Sequence, residues 1–133
     1  MKVHLCRHAE AAPGEPDELR ELTVTGVVQA TTLGRELAAA EPPATVVLSS
    51  PLLRARQTAE AIATELELRV LVDTRLAPGA SLESVRIALR GLDGPVVAVG
   101  HQPDCSEIAL AATGRDPGFP VAAHALVEIE PQQ

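Results

Sequence analysis

Short apolar runs alternate with longer segments of helical periodicity along this chain, and this alternation restricts the folds open to it. Four apolar runs predict strands, at residues 2–7, 45–49, 69–72 and 96–100. Short and nearly continuous apolar runs are typical of strands buried on both faces of a parallel sheet. Looser alternation at residues 121–130 predicts a strand at the edge of that sheet. The pattern therefore predicts an α/β fold, a three-layer αβα sandwich with a mainly parallel central sheet and a C-terminal edge strand.

The segments between the strands carry the start and stop signals of helices. We expect the first helix to take Thr23 or Thr25 as its N-cap and to stop at Glu41-Pro42-Pro43. In the second helix, Ser50 is expected as N-cap and Pro51 as the first helical residue. Further helices are predicted near residues 82–91 and from Pro103 to about Ala112.

Size and charge exclude several classes of function. A chain of 133 residues predicts a single domain over residues 1–133. The net charge of -7 would repel a nucleic-acid backbone, and Phe119 is the only aromatic residue available for base stacking. No apolar run approaches the length of a membrane span, and the first apolar run is too short for a signal peptide. We therefore expect a soluble, cytoplasmic protein with neither a nucleic-acid nor a membrane partner.

Basic side chains follow three of the predicted strands. Arg7 and His8 end the first strand, Arg54 lies in the helix after the second, and His101 follows the run at 96–100. Ligands of open α/β sheets bind beyond the carboxyl ends of the strands, where these groups would meet. On spacing alone, Arg56 competes with Arg54. Two guanidiniums and two imidazoles in one pocket predict a phosphoryl-transfer site with His8 as nucleophile.

The loop after the first strand leaves one catalytic question open. His8 needs one unprotonated ring nitrogen, and a backbone carbonyl or a carboxylate on the other nitrogen would fix that tautomer. Residues 9–22 are rich in acidic side chains, and we expect them to form a solvated surface loop. The alternative is that Glu10, two residues from His8, faces the site as an acid.

The other histidines and both cysteines are expected to be structural. His4 and His124 alternate into predicted strands, and Cys6 and Cys105 are expected to be small buried residues. A cysteine–histidine nucleophile pair is possible chemically but ranks below His8. The spacing of these residues predicts no metal site.

Several motifs occur in the order found in one enzyme family. Arg7-His8-Ala9 resembles an Arg-His-Gly motif, residues 49–59 resemble a Ser-x-x-x-Arg-Ala-x-x-Thr-Ala segment, and Gly100-His101 resembles a second histidine motif. Together they resemble the histidine phosphatase superfamily, also called the phosphoglycerate mutase-like family, and they select Arg54 over Arg56. A further similarity to this family is the helix start with Leu22-Thr23, Gly26 and Gln29-Ala30. Residues 75–80 and Gly100-His101-Gln102-Pro103 are most similar to its SixA-type phosphohistidine phosphatases.

This resemblance implies a reaction and a set of roles. His8 would be phosphorylated, Arg7, Arg54 and His101 would bind the phosphoryl group, and water would hydrolyse the intermediate without a metal or cofactor. Larger members carry a carboxylate acid in the loop after the third strand, whereas residues 76–81 contain none. Imidazole, with a pKa of ~6.5, is an easier leaving group than an alkoxide. We therefore expect phosphohistidine on a protein, such as a histidine phosphotransfer domain, to be the substrate.

Two other functions stay open at this stage. The chain could be a phosphatase for small phosphomonoesters such as sugar or nucleotide phosphates, with Glu10, Asp73 or Asp104 as the acid. It could also be a non-catalytic domain that binds phosphorylated partners, although such a domain has no need of an in-line nucleophile.

Overall fold

The structure, a computed structural model, describes residues 1–133 as alternating strands and helices. Short 3₁₀ turns at Asp17–Leu19 and Thr74–Leu76 lie in the loops after the first and third strands. None of the helices combines the length and apolar character needed to cross a bilayer. In chain order the elements are β1 (Lys2–Arg7), α1 (Val24–Ala38), β2 (Val46–Ser49), α2 (Leu53–Leu66), β3 (Val70–Val72), α3 (Leu82–Ala88), β4 (Val96–Gly100), α4 (Asp104–Thr113) and β5 (His124–Glu128).

The five strands form one sheet in the order β3-β2-β4-β1-β5. The first four strands run parallel, and β5 pairs antiparallel with β1 at the edge. This arrangement confirms the predicted fold class. It also makes β2, β4 and β1 neighbours, so their carboxyl ends lie side by side. The pairing of Arg7 with Gly100 fixes the relative height of the two strand ends that carry the histidines.

The sheet is covered on both faces, which makes the three layers. Successive residues of β4 alternate between two apolar clusters, as the period of a strand requires: Val96 joins one and Val97 the other. The first cluster includes Leu89 and Ile108, from the α3 and α4 side of the sheet. The second includes Leu33 of α1 and Ile62 of α2.

The start of α1 is built against the loop that follows β1. Thr23, one of the two predicted caps, is the N-cap: its hydroxyl accepts a hydrogen bond from the Gly26 amide at 2.9 Å. A Cβ at Gly26 would collide with the carbonyl of Glu10. Only glycine therefore lets the first turn of α1 pack this closely against the segment carrying His8.

The predicted start of α2 is wrong. The Ser50 amide donates to the Val99 carbonyl at 3.0 Å, so the chain is still held against β4 at this point. The helix begins at Leu53, with Leu52 in the cap position, and Pro51 precedes it. The Ser50 hydroxyl contacts His101 as well as the Leu52 amide.

Other boundaries differ by shorter lengths. The predicted helix at residues 82–91 ends at Ala88, and the chain then turns through Gly91, which has a positive φ of 72°. The predicted strand at 121–130 is regular only over His124–Glu128. Before it, the chain turns through Ala122, which has a positive φ of 59°; after it, only the Ile129 amide continues the pairing, by donating to the Met1 carbonyl at 2.9 Å.

Candidate active site

His8 follows β1 and is fixed by main-chain contacts. Its amide donates to the Gly100 carbonyl at 3.1 Å, and its Nδ1 lies 2.7 Å from the Ala9 carbonyl oxygen. A carbonyl can only accept, so Nδ1 carries the proton and Nε2 keeps its lone pair. Of the two partners considered for this nitrogen, a backbone carbonyl and a carboxylate, the structure places the carbonyl there. Burial, together with the nearby charges of Arg54 and Arg7, lowers the pKa of His8, although its bond to Ala9 opposes this shift.

The guanidiniums of Arg7 and Arg54 are each held by hydrogen bonds to a loop. Arg7 donates from one terminal nitrogen to the Phe119 carbonyl at 3.0 Å, while its buried Nε has no protein partner. Arg54 lies in the first turn of α2, and its side chain is only 8% exposed. It donates to the Asp17 carbonyl at 2.9 Å and to the Asp17 carboxylate at 3.2 Å. Each guanidinium has five N–H donors, so both keep donors for an anion.

His101 follows β4 and faces His8. Their ring centroids are 5.2 Å apart. The His101 Nε2 lies 2.7 Å from the Ser50 hydroxyl, and its Nδ1 is buried without a partner. Burial first, then the charges of His8 and Arg54, lower the pKa of His101 to about 4. Both imidazoles are therefore neutral near pH 7.

These four predicted residues come together through strand order. Arg7 and His8 end β1, His101 ends β4, and Arg54 opens the helix after β2, on three adjacent strands. The charges of Arg7 and Arg54 lower the pKa of both histidines. The result is a local positive site on a chain whose net charge is -7. Such a site is suited to an anion with several oxygens, held beside an unprotonated nitrogen.

Three functional contacts escaped the sequence analysis. Ser50 was expected to cap a helix but contacts His101. Asp17, expected in a solvated loop, contacts Arg54. Thr58 accepts from the Ala9 amide at 3.0 Å and donates to the Arg54 carbonyl at 2.9 Å, joining the two halves of the site. Ser50 and Thr58 had a signal in the sequence, since both belong to the matched segment at residues 49–59, whereas Asp17 had none.

The competing basic and acidic candidates make other contacts. Arg56 donates from Nε to the Pro51 carbonyl at 3.0 Å. Glu10 accepts from the Thr23 hydroxyl at 2.7 Å, which turns its carboxylate toward the start of α1. Asp73 accepts from the Arg75 amide at 2.9 Å. Asp104 accepts from the amides of Gly79 and Ala80 at 2.9 and 3.2 Å.

The other two histidines lie in strands of the sheet, and both cysteines lie in the core. The rings of His4 and His124 are 6.3 Å apart between β1 and β5. Cys6 and Cys105 are buried free thiols, and burial raises the pKa of both. A raised thiol pKa disfavours the thiolate that a cysteine nucleophile needs. No group of three or more potential metal-ligating side chains is clustered in the chain.

A match to a protein-family model decides which family the chain belongs to. The family model for the histidine phosphatase superfamily, branch 1, matches residues 3–78, which include Arg7, His8 and Arg54. The chain belongs to the histidine phosphatase superfamily. It is a phosphatase.

Several known proteins resemble the chain in sequence or structure. The structure of the protein histidine phosphatase SixA complexed with tungstate has a TM-score of 0.87 and 28% identity, covering 98% of this chain and 90% of that one. The putative phosphohistidine phosphatase SixA from Agrobacterium tumefaciens has a TM-score of 0.80 and 28% identity, over 94% and 89% of the two chains. An uncharacterized protein of Picosynechococcus sp. is 36% identical over 126 residues, 86% of this chain and 76% of its own length. The predicted phosphoglycerate mutase-like fold is confirmed.

Proposed function

We propose that this phosphatase removes phosphate from phosphohistidine on a protein, through a phosphorylated His8. The observation that carries this proposal is the 2.7 Å contact between His8 Nδ1 and the Ala9 carbonyl. It leaves the Nε2 lone pair free in the middle of a positive site. A group held this way needs no base to activate it.

In the first step, His8 Nε2 attacks the phosphorus atom. The bond from phosphorus to the leaving group breaks, and its electron pair departs with that group. Arg7 and Arg54 would hold the peripheral oxygens with their remaining donors, and so neutralise the charge of the transferring group. A phosphoryl dianion also opposes the arginine charges that lower the pKa of His101, so that His101 can take up a proton and donate it as a hydrogen bond.

In the second step, water attacks the phosphorus atom on His8. The proton stays on Nδ1, which donates it to the Ala9 carbonyl, so the phosphorylated ring is an imidazolium; the bond from phosphorus to Nε2 breaks and leaves its electron pair on Nε2 of a neutral imidazole. Phosphate and one proton are released, and the starting tautomer of His8 is restored. The same backbone contact therefore serves both steps.

The choice of substrate rests on the leaving group and on the shape of the site. The loop at 76–81 has no carboxylate, and its Gly79 and Ala80 amides are held by Asp104. This favours a substrate whose leaving group needs no strong acid, such as imidazole. None of the molecule's cavities is lined by the four site residues, which favours a phosphoryl group displayed on another protein over a small metabolite held by enclosing walls. SixA, similar at 28% identity, is described as a protein histidine phosphatase.

Phosphate release from two substrates tests this proposal. A phosphohistidine-bearing protein and p-nitrophenyl phosphate would be offered to the wild type and to His8→Ala. Rapid release from the phosphohistidine, lost in the variant, is the expected result. Release from the aryl ester alone would indicate a small-molecule phosphatase. Binding of the phosphorylated protein without any His8-dependent release would indicate a binding domain.

A further inference from the structure

Asp17 lies directly on the phosphate-binding side of the molecule. Its carbonyl oxygen accepts from one terminal nitrogen of Arg54 at 2.9 Å, and its Oδ2 accepts from the other at 3.2 Å. The side chain of Arg54 is 8% exposed, whereas that of Asp17 is 61% exposed. Asp17 therefore sits between the guanidinium and the solvent.

Asp17 and a phosphoryl group can occupy Arg54 together. The two contacts use one N–H of each terminal nitrogen, which leaves the Nε and two further N–H groups. The Asp17 carboxylate itself also keeps acceptor capacity. Oδ1 accepts from Arg20 at 3.0 Å and Oδ2 from Arg54, while each carboxylate oxygen can accept about two hydrogen bonds.

The charge of Asp17 determines what it can do. The hydrogen bond from Arg20 first, and the charge of Arg54, lower the pKa of this carboxyl. The carboxylate is therefore ionised near neutral pH and has no proton to give to the oxygen of a departing ester. It can only accept a hydrogen bond.

An ionised carboxylate beside a phosphate-binding arginine is costly for most phosphate substrates. It repels a phosphoryl dianion, and the repulsion is stronger where water is partly excluded. A phosphohistidine whose second ring nitrogen is protonated differs from an alkyl or aryl phosphate, because it carries a cationic N–H next to its phosphoryl group. That N–H is the partner that an acceptor-only carboxylate requires.

We propose that Asp17 is a specificity-determining residue that accepts a hydrogen bond from the protonated, non-phosphorylated ring nitrogen of a phosphohistidine substrate. This inference rests on the function proposed above and names the group that selects the leaving group. As His8 Nε2 forms its bond to phosphorus, the bond from phosphorus to the substrate ring nitrogen breaks and leaves its electron pair on that nitrogen. The proton stays on the second ring nitrogen, so the ring departs as neutral imidazole.

Neighbouring carboxylates lack this placement. Glu10 is turned toward the Thr23 hydroxyl. Glu18, in the same 3₁₀ turn as Asp17, is exposed and forms no hydrogen bond or ion pair in the structure. Glu18 therefore provides a matched control, with the same charge one residue away.

The test compares Asp17→Asn with Glu18→Gln on the phosphohistidine-bearing protein and on p-nitrophenyl phosphate. Asparagine keeps the size of the side chain and the carbonyl contact to Arg54 but removes the charge. In Asp17→Asn, kcat/KM for the phosphohistidine should fall about 10- to 100-fold, as expected for one charge-assisted hydrogen bond. The value for the aryl ester should rise, because a repulsive charge is gone. Glu18→Gln should leave the ratio of the two values unchanged.

Inorganic phosphate, used as an inhibitor, supplies a second readout. Loss of the Asp17 charge should tighten its binding, whereas mere displacement of Arg54 would weaken it. An equal fall on both substrates in Asp17→Asn, or weaker phosphate binding, would overturn the role of Asp17. Failure of the wild type itself to release phosphate from the phosphohistidine would overturn the proposed function instead, so the two failures are distinguishable.

Discussion

The ends of β1 and β4 each deliver a histidine to the same site, yet the two imidazoles are held by different partners. His8 is bonded through Nδ1 to the Ala9 carbonyl, and His101 through Nε2 to the Ser50 hydroxyl. A carbonyl can only accept, so the tautomer of His8 is fixed. A hydroxyl can donate or accept, so the proton on His101 can change place or number during a reaction. The difference predicts a nucleophile at the end of β1 and an adaptable phosphate ligand at the end of β4.

Removal of the nucleophile should have the largest effect. His8→Ala should reduce phosphate release by at least about a thousandfold, since no other side chain offers an unprotonated nitrogen fixed in this way. The steady-state rate on the phosphohistidine-bearing protein measures this. His124→Gln, which replaces an exposed histidine in β5, is the control and should keep the wild-type rate. A wild-type rate in His8→Ala would show that the reaction does not depend on His8, and comparable losses in both variants would show that the loss is not specific to His8.

Removal of the second histidine should cost less. His101→Ala should lower kcat by about 100-fold, the size expected for the loss of one donor that stabilises a transferring group. Because His8 keeps its tautomer, the variant should still form a phosphorylated enzyme, more slowly. Rapid-quench measurement of the phosphorylated enzyme shows whether it still forms in the variant, and how fast. A variant that forms none would place His101, and not His8, at the centre of the reaction.

Removal of the hydroxyl that holds His101 should have a smaller effect. Ser50→Ala should lower kcat/KM about 10-fold, since it leaves a buried ring nitrogen without its partner. Nitrogen NMR should show a change in the tautomer populations of His101 and none in those of His8. Ser49→Ala is the matched control, because that buried hydroxyl donates to the Ser50 carbonyl and contacts neither histidine. A change at His8 alone would contradict the division between the strand ends.

The last prediction concerns the stability of the fold, which should depend on pH through His101, and not the rate of the reaction. The pKa of His101 is about 4 in the folded protein and ~6.5 when unfolded, so between these values the unfolded chain binds more protons. The free energy of unfolding should therefore fall as the pH is lowered from 7 to 5, and this contribution should level off below about pH 4. Urea unfolding of His101→Gln should show a weaker pH dependence over the same range. An unchanged dependence would show that other groups, such as His8 and His4, account for it.

The sequence was informative where local pattern determines structure. The buried strands ending at Arg7 and Gly100 were readable from their apolar runs, and the rule that ligands bind at carboxyl ends located the four site residues. Sequence reasoning failed where contacts between segments distant in the chain determine the partner of a side chain. Ser50 has the local chemistry of a helix cap, but its position against β4 gives the hydroxyl to His101. Asp17 appears in an acidic loop that no local rule folds back onto Arg54, 37 residues away.

Direct mapping of the phosphorylated residue tests the division between the two strand ends most sharply. The wild type would be mixed with a phosphohistidine-bearing protein, quenched in alkali to preserve phosphohistidine, and digested for mass spectrometry. Phosphate on His8, absent from His8→Ala and retained in His101→Ala, is the predicted result. Phosphate on His101, or turnover with no phosphate on either histidine, would contradict it.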